Sequence, residues 1–228
     1  TTILEDAGAL TISLTGIGDG DAEASQTITV TAVSNNTSLI PNPTVTYTSD
    51  NATGSLSYTP VSNANGSAVI TVSVVDNGGT NNGGVDSTAT TFTIAVTAVN
   101  DTPVIDAISD PSAILEDAGS QTISLTGIGD GDAGATQTIA VSATSNSTNL
   151  IPNPTVTYSL SAATGSLTYT PVSNANGSAV ITVTVTDDGG TANSGVNSTT
   201  TTFTVNVTAV NDEPSFTKGS DQTVLEDS

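Results

Sequence analysis

The sequence has no cysteine, histidine, methionine or tryptophan, and Lys218 is its single basic side chain against twenty-two acidic ones. Without cysteine there is no disulfide, no thiolate nucleophile and no soft-metal site. Without clustered Lys or Arg, nothing can neutralise a phosphate backbone or an anionic headgroup, so nucleic acid and anionic membrane surfaces are excluded as partners. No apolar run approaches the roughly eighteen residues that a membrane-spanning helix needs, so no membrane insertion is expected. Catalysis is poorly provided for, because Ser has no basic partner and His and Cys are missing. Two carboxylates can suffice for glycoside hydrolysis, yet sugar clefts are usually lined with aromatics, and the chain has four Tyr and three Phe. The expectation is a protein that is not an enzyme.

What is present is acid, with a formal net charge of −21. For a surface rich in carboxylate and amide oxygens the matching partner is a hard divalent cation, calcium above all. Thr, Ser, Asn, Gly and Asp take the places that Lys and Glu hold on helical surfaces, which is the composition of exposed strands and turns. It suggests an extracellular, cell-surface protein. No signal peptide is visible, and the chain starts and stops in mid-pattern, as expected for a piece of a longer parent.

The sequence is a repeat. ILEDAG opens at Ile3 and again at Ile114, a shift of 111 residues, and the same shift relates TISLTGIGDGDA from Thr11, LIPNPTVTY from Leu39 and YTPVSNANGSAVITV from Tyr58 to their second copies. Val224, Leu225, Glu226 and Asp227 open a third copy. A period this long exceeds that of solenoid repeats and matches a β-sandwich of about 100 residues. The boundaries follow the VND-x-P segments, giving one unit at 1–104, a second at 105–215, and a linker with the start of a third at 216–228.

Inside each unit apolar residues recur at every second position, as in Ile12 and Leu14, Ile28, Val30 and Ala32, Val45 and Tyr47, Leu56 and Tyr58, Ile70, Val72 and Val74, and Phe92, Ile94 and Val96. That is strand spacing. Gly18, Gly20, Pro41, Pro43, Asn65, Gly66, Gly78 and Gly79 punctuate the runs as turns. The fold class is therefore all-β, two tandem Ig-like antiparallel β-sandwich domains of six or seven strands each. The Thr-rich runs from Ser87 and Ser198 read as ordinary outward strand positions.

Acidic residues gather at strand ends as LED (Glu5, Asp6), DGD (Asp19, Asp21), VDNGG (Asp76) and VND-x-P (Asn100, Asp101), and each cluster occurs twice. Asp-Gly pairs also make ordinary turns, since Asp tolerates the left-handed backbone and bonds its own chain. Two carboxylates about 4 Å apart, however, repel by about 4 kcal/mol at an effective dielectric of about 20. Gathered carboxylates therefore need either a cation or free separation into water.

The order of these clusters resembles the cadherin repeat, with its early Glu, DxD turn, DxG turn and Asn-Asp-x-Pro linker, and the GSLxYTP and DNGGT pieces look like the bacterial cadherin-like tandem repeats of large surface adhesins. The resemblance implies calcium ligands pooled between successive domains. Carried over, it implies one shared site formed by Glu5, Asn100 and Asp101 of the first unit with Asp130, Asp132 and Asp187 of the second. Asp19, Asp21 and Asp76 would then face a preceding module, and Glu116, Asn211 and Asp212 a following one. Asp6 or Asp117 is the alternative to Glu5 or Glu116. The segment corresponding to the cadherin LDRE reads TPVSNANG from Thr59, and the linker lacks a leading Asp, which implies one or two ions per junction. The expected function is a calcium-rigidified stalk built of neighbouring repeats; the alternative is adhesion by the modules themselves, to polysaccharide or to a homotypic partner.

Overall fold

The computed structural model describes residues 1–21, 26–132, 136–224 and 226. Of the residues that open the third copy, Leu225 and Asp227 lie outside the described residues. The first module contains β1 (Thr2–Leu4), β2 (Leu10–Thr15), β3 (Thr29–Ser34), β4 (Thr44–Thr46), β5 (Thr53–Tyr58), β6 (Gly66–Val75) and β7 (Ser87–Thr97). The second repeats the set as β8 (Ile114–Leu115), β9 (Gln121–Thr126), β10 (Ala140–Ser145), β11 (Thr155–Tyr158), β12 (Thr164–Tyr169), β13 (Gly177–Thr186) and β14 (Ser198–Thr208).

Each module stacks a four-stranded sheet on a three-stranded one. In the first the orders are β1-β7-β6-β3 and β2-β5-β4, and in the second β8-β14-β13-β10 and β9-β12-β11. The long hairpins carry most of the pairing, with Ile70 opposite Phe92 in β6–β7 and Ile181 opposite Phe203 in β13–β14. One pairing departs from the antiparallel expectation: β1 runs parallel to β7, and β8 to β14. Three residues carry too little pattern to announce a strand, and the parallel register of Ile3 with Val96 sets the following Glu5 beside the exit of β7.

Alternation along the strands builds the interior. Ile40, Leu56, Ile70 and Ile94 are fully enclosed in the first module, as are Leu125, Ile151, Leu167, Ile181 and Val205 in the second. The two cores are not equally covered. Leu125 and Ile128 are buried whereas their equivalents Leu14 and Ile17 are half-exposed. The linker supplies the difference: Ile105 and Ile108 pack against the second core, Val104 and Gly129 exchange backbone hydrogen bonds of 2.9 and 3.1 Å, and the Asp106 amide donates to the Thr126 carbonyl at 2.9 Å. Chain leaving the first sandwich thus becomes an edge of the second.

Removing a methylated branch from such an interior leaves a void that close-packed neighbours cannot fill. Ile181→Ala is expected to cost about 2–5 kcal/mol of second-module stability, measured by denaturant melting, and a cost under about 1 kcal/mol would contradict the close packing described.

Candidate metal centre

The junction is assembled from the exit of β7 and two turns of the second module. Glu5, nearly fully buried at 4% exposure, turns Oε1 to accept a 2.7 Å hydrogen bond from the Val99 amide, and so fastens the linker to the start of its own module. Glu116 repeats the device with the Val210 amide at 2.7 Å, and its Oε2 accepts from Asn176 Nδ2 at 3.4 Å. Asp6 sits in the left-handed region at φ 57°, and its Oδ1 accepts from the Asn63 amide at 3.1 Å. Asp117 does the same for Asn174 at 3.2 Å. Both aspartates take the left-handed backbone of a turn residue, but the amide each one caps lies 57 residues further along the chain.

Asn100 and Asp101 then cross to the second module. Asn100 Nδ2 donates to Asp187 Oδ1 at 3.0 Å and to the Val196 carbonyl at 2.7 Å, while the Val196 amide donates to the Asn100 carbonyl at 3.0 Å. The Asp101 amide donates to Asp132 Oδ1 at 3.3 Å. Asp130 Oδ2 accepts from the Gln137 amide at 3.1 Å, and Asp187 Oδ1 also accepts from the Gly189 amide at 3.0 Å. Asn63 reaches over from the SNANG loop, its Nδ2 lying 3.5 Å from the Gly131 carbonyl.

Missing side chains make this approach possible. Gly131, at φ +88°, has no Cβ that would strike the Thr102 carbonyl and stand 3.3 Å from Asp101 Cβ, whereas nothing lies within 4 Å of the corresponding point on Gly20. A Cβ on Gly195 would sit 3.0 Å from Asn100 Cβ.

Six of the residues inferred from sequence are therefore brought to one junction: Glu5, Asn100, Asp101, Asp130, Asp132 and Asp187. They do not form a cage of carboxylates. Among the described residues no three acidic side chains stand at metal-ligand spacing. What they form is an excess of acceptors. Among the described residues seven buried side-chain N or O atoms lack a hydrogen-bond partner, and four belong to this junction: Asn100 Oδ1, Asp101 Oδ2, Asp187 Oδ2 and Gln137 Oε1. The others are Gln26 Oε1, at the equivalent place in the first module, and the hydroxyls of Tyr47 and Tyr158. Leaving a buried polar atom unpaired costs about 1–3 kcal/mol, more when it is charged.

Electrostatics agree with that picture. Asp101 is held above the usual carboxylate range, first by burial and then by the charges of Asp6, Asp132 and Glu5. Asp132 is raised too, chiefly by burial, with Asp130 and Asp187 adding repulsion and the Asp101 amide partly offsetting it. Lys218 offers no relief, being paired at 2.6 Å with Asp221 on an exposed segment. The oxygen set fits a hard cation: carboxylate and amide oxygens from several turns, with unsatisfied lone pairs and no competing ammonium.

The outer clusters stay local. Asp19 accepts from the Asp21 and Gln26 amides at 3.2 and 3.0 Å, Gln26 Nε2 donates to Asp21, and Asp76 Oδ1 accepts from the Gly78 amide at 2.8 Å. At the far end Asn211 Nδ2 donates to the Asp212 carbonyl at 3.0 Å, and both residues are exposed. Sequence reasoning missed Gln137, Gln26 and Asn63, which look like ordinary strand-entry and turn residues.

No family model matches the chain, and no curated protein matches it. Solved structures do resemble it. An endo-fucoidan hydrolase from glycoside hydrolase family 107 is 21% identical with a TM-score of 0.33, the match covering 92% of this chain and 28% of that one. Domains 1–6 of the surface layer protein SbsC are 20% identical with a TM-score of 0.33, over 80% of this chain and 20% of that. Mouse cadherin-23 EC22–24 is 18% identical with a TM-score of 0.44, over 92% and 63%. This chain thus spans a minor part of the first two.

Both raised carboxylates are penalised in the folded, ionised form. Their effect is absent below the unfolded value and becomes destabilising as pH rises through it toward the raised one. Asp188, lowered mainly by hydrogen bonds from Thr138, acts in the opposite sense, adding stability above its unfolded value that is lost as pH falls. Comparing variants cancels that contribution. In chelator at about pH 7, Asp101→Asn is expected to melt above the unchanged protein, with the gap closing on acidification to about pH 4. A variant that melts lower under both conditions would refute the repulsion.

Proposed function

We propose that the chain is a pair of calcium-rigidified extender repeats from an extracellular surface protein, acting as a stalk. The observation that carries this reading is that Asn100 Oδ1 and Asp101 Oδ2 of the linker and Asp187 Oδ2 of the second module are all buried at the junction and none has a donor. In this reading Asn100, Asp101, Asp132 and Asp187 hold the ion, with Asp130 alongside. Glu5 acts as the clamp that aims the linker. Calcium supplies the positive charge that the side chains cannot.

The consequence is mechanical. A flexible string of acidic beads gains a preferred inter-module angle when the ion binds only the docked arrangement. At one hundred times its dissociation constant such a ligand stabilises that arrangement by about 2.7 kcal/mol, and extracellular modules typically bind calcium at about 10⁻⁴–10⁻³ M. Outside the cell such concentrations are ordinary, which supports the proposed location. The far end of the second module offers the same interface to a following repeat: Ile114, Leu115, Glu116, Asp117 and Val210 line an open cleft there. Asp19, Asp21 and Asp76 supply the complementary half at the start of the first module. Function in this reading lies in length and stiffness and includes no catalytic step.

Small-angle scattering of the two-module chain is expected to give a larger and better-defined maximum dimension in calcium than in chelator. An unchanged distance distribution would overturn the stalk reading.

A further inference from the structure

Two hydrogen bonds place Gln137, and neither uses its side-chain carbonyl oxygen. Its backbone amide donates to Asp130 Oδ2 at 3.1 Å, and its Nε2 donates to Asp132 Oδ2. Its side chain lies across Gly189, whose missing Cβ would overlap Gln137 Oε1 and Asn100 Oδ1 together. Two amide oxygens therefore crowd one point from opposite modules. Each is buried, and neither has a donor. Asn100 Nδ2 is committed to Asp187 and Val196, so the Asn100 oxygen is oriented toward this point by its own hydrogen bonds.

The first module repeats the arrangement. Gln26 donates its backbone amide to Asp19 Oδ2 at 3.0 Å and its Nε2 to Asp21, it lies over Gly78, and its Oε1 is again buried and unpartnered. The Gln is thus set by its own DGD turn. Asp187, 8% exposed, aims an unpartnered Oδ2 into the same junction.

We propose that Gln137 supplies a neutral side-chain oxygen ligand to the junction cation, and that Gln26 does so at the start of the first module. This rests on the calcium reading above and adds a donor that none of the acidic clusters contains. A hard cation accepts amide carbonyls beside carboxylates, and affinity is tuned by how many ligands carry charge. Where Asp101, Asp130, Asp132 and Asp187 already repel, a neutral oxygen completes coordination without a further negative charge. Its Nε2 meanwhile holds Asp132 in place.

The test is calcium affinity of the whole two-module chain by calorimetry, with melting in chelator confirming that each variant folds. Gln137→Leu removes both the oxygen and the N–H donor, whereas Gln137→Glu restores an oxygen and not the donor. The expected result is at least about a tenfold loss of junction affinity for Gln137→Leu, with a smaller loss for Gln137→Glu, which keeps an oxygen but adds a charge beside Asp132. If Gln137→Leu binds normally, or Gln137→Glu falls as far as Gln137→Leu, the ligand role is overturned and only positioning of Asp132, or nothing, remains. Asp187→Asn separates the two ideas: if it weakens binding while Gln137→Leu does not, the calcium reading stands and this one fails. Absence of divalent-cation binding by the unchanged chain overturns both.

Discussion

Acceptors without donors govern this molecule. At the seam between the sandwiches, Asn100, Asp101, Asp187 and Gln137 each bury an oxygen that no N–H or O–H reaches, in a chain whose one basic side chain lies on the exposed segment beyond the second module. Apolar packing holds each sandwich together. The seam is different, because its carboxylates Asp101 and Asp132 are raised by burial and by their neighbours.

The joint is also built by packing. Ile105 and Ile108 cover the second core, and Val104 enters a backbone bridge with Gly129, so the linker is continuous with the second sandwich before any ion is considered. Glu5 and its bond to the Val99 amide fix the other side of the same segment. Glycines at 131, 189 and 195 let the linker reach the turns. The equivalent Gly20 faces open space, and Asp76 is more exposed than the buried Asp187. The two copies thus share nearly one sequence, yet only the second has its turns covered by a preceding linker.

Much of this was legible from the chain itself. The repeat, the two sandwiches and the strand positions around Ile12, Val30, Leu56, Ile70 and Ile94 follow from periodicity and turn residues, and the grouping of Asn100 and Asp101 with Asp130, Asp132 and Asp187 is what the resemblance of the acidic clusters to the cadherin repeat implies. Alternation at period two is imposed by the pleat, and Asp-Gly spacing by turn geometry; both are local, so both are written in the sequence. Tertiary structure decided the rest. The parallel pairing of β1 with β7, the use of Glu5 as a clamp on Val99, the capping of Asn63 by Asp6 and the position of Gln137 beneath Asn100 all join residues far apart in the chain or on different modules. Whether an oxygen there is paired, exposed or stranded depends on which neighbours folding brings beside it, and a residue's type and its place in a motif do not contain that.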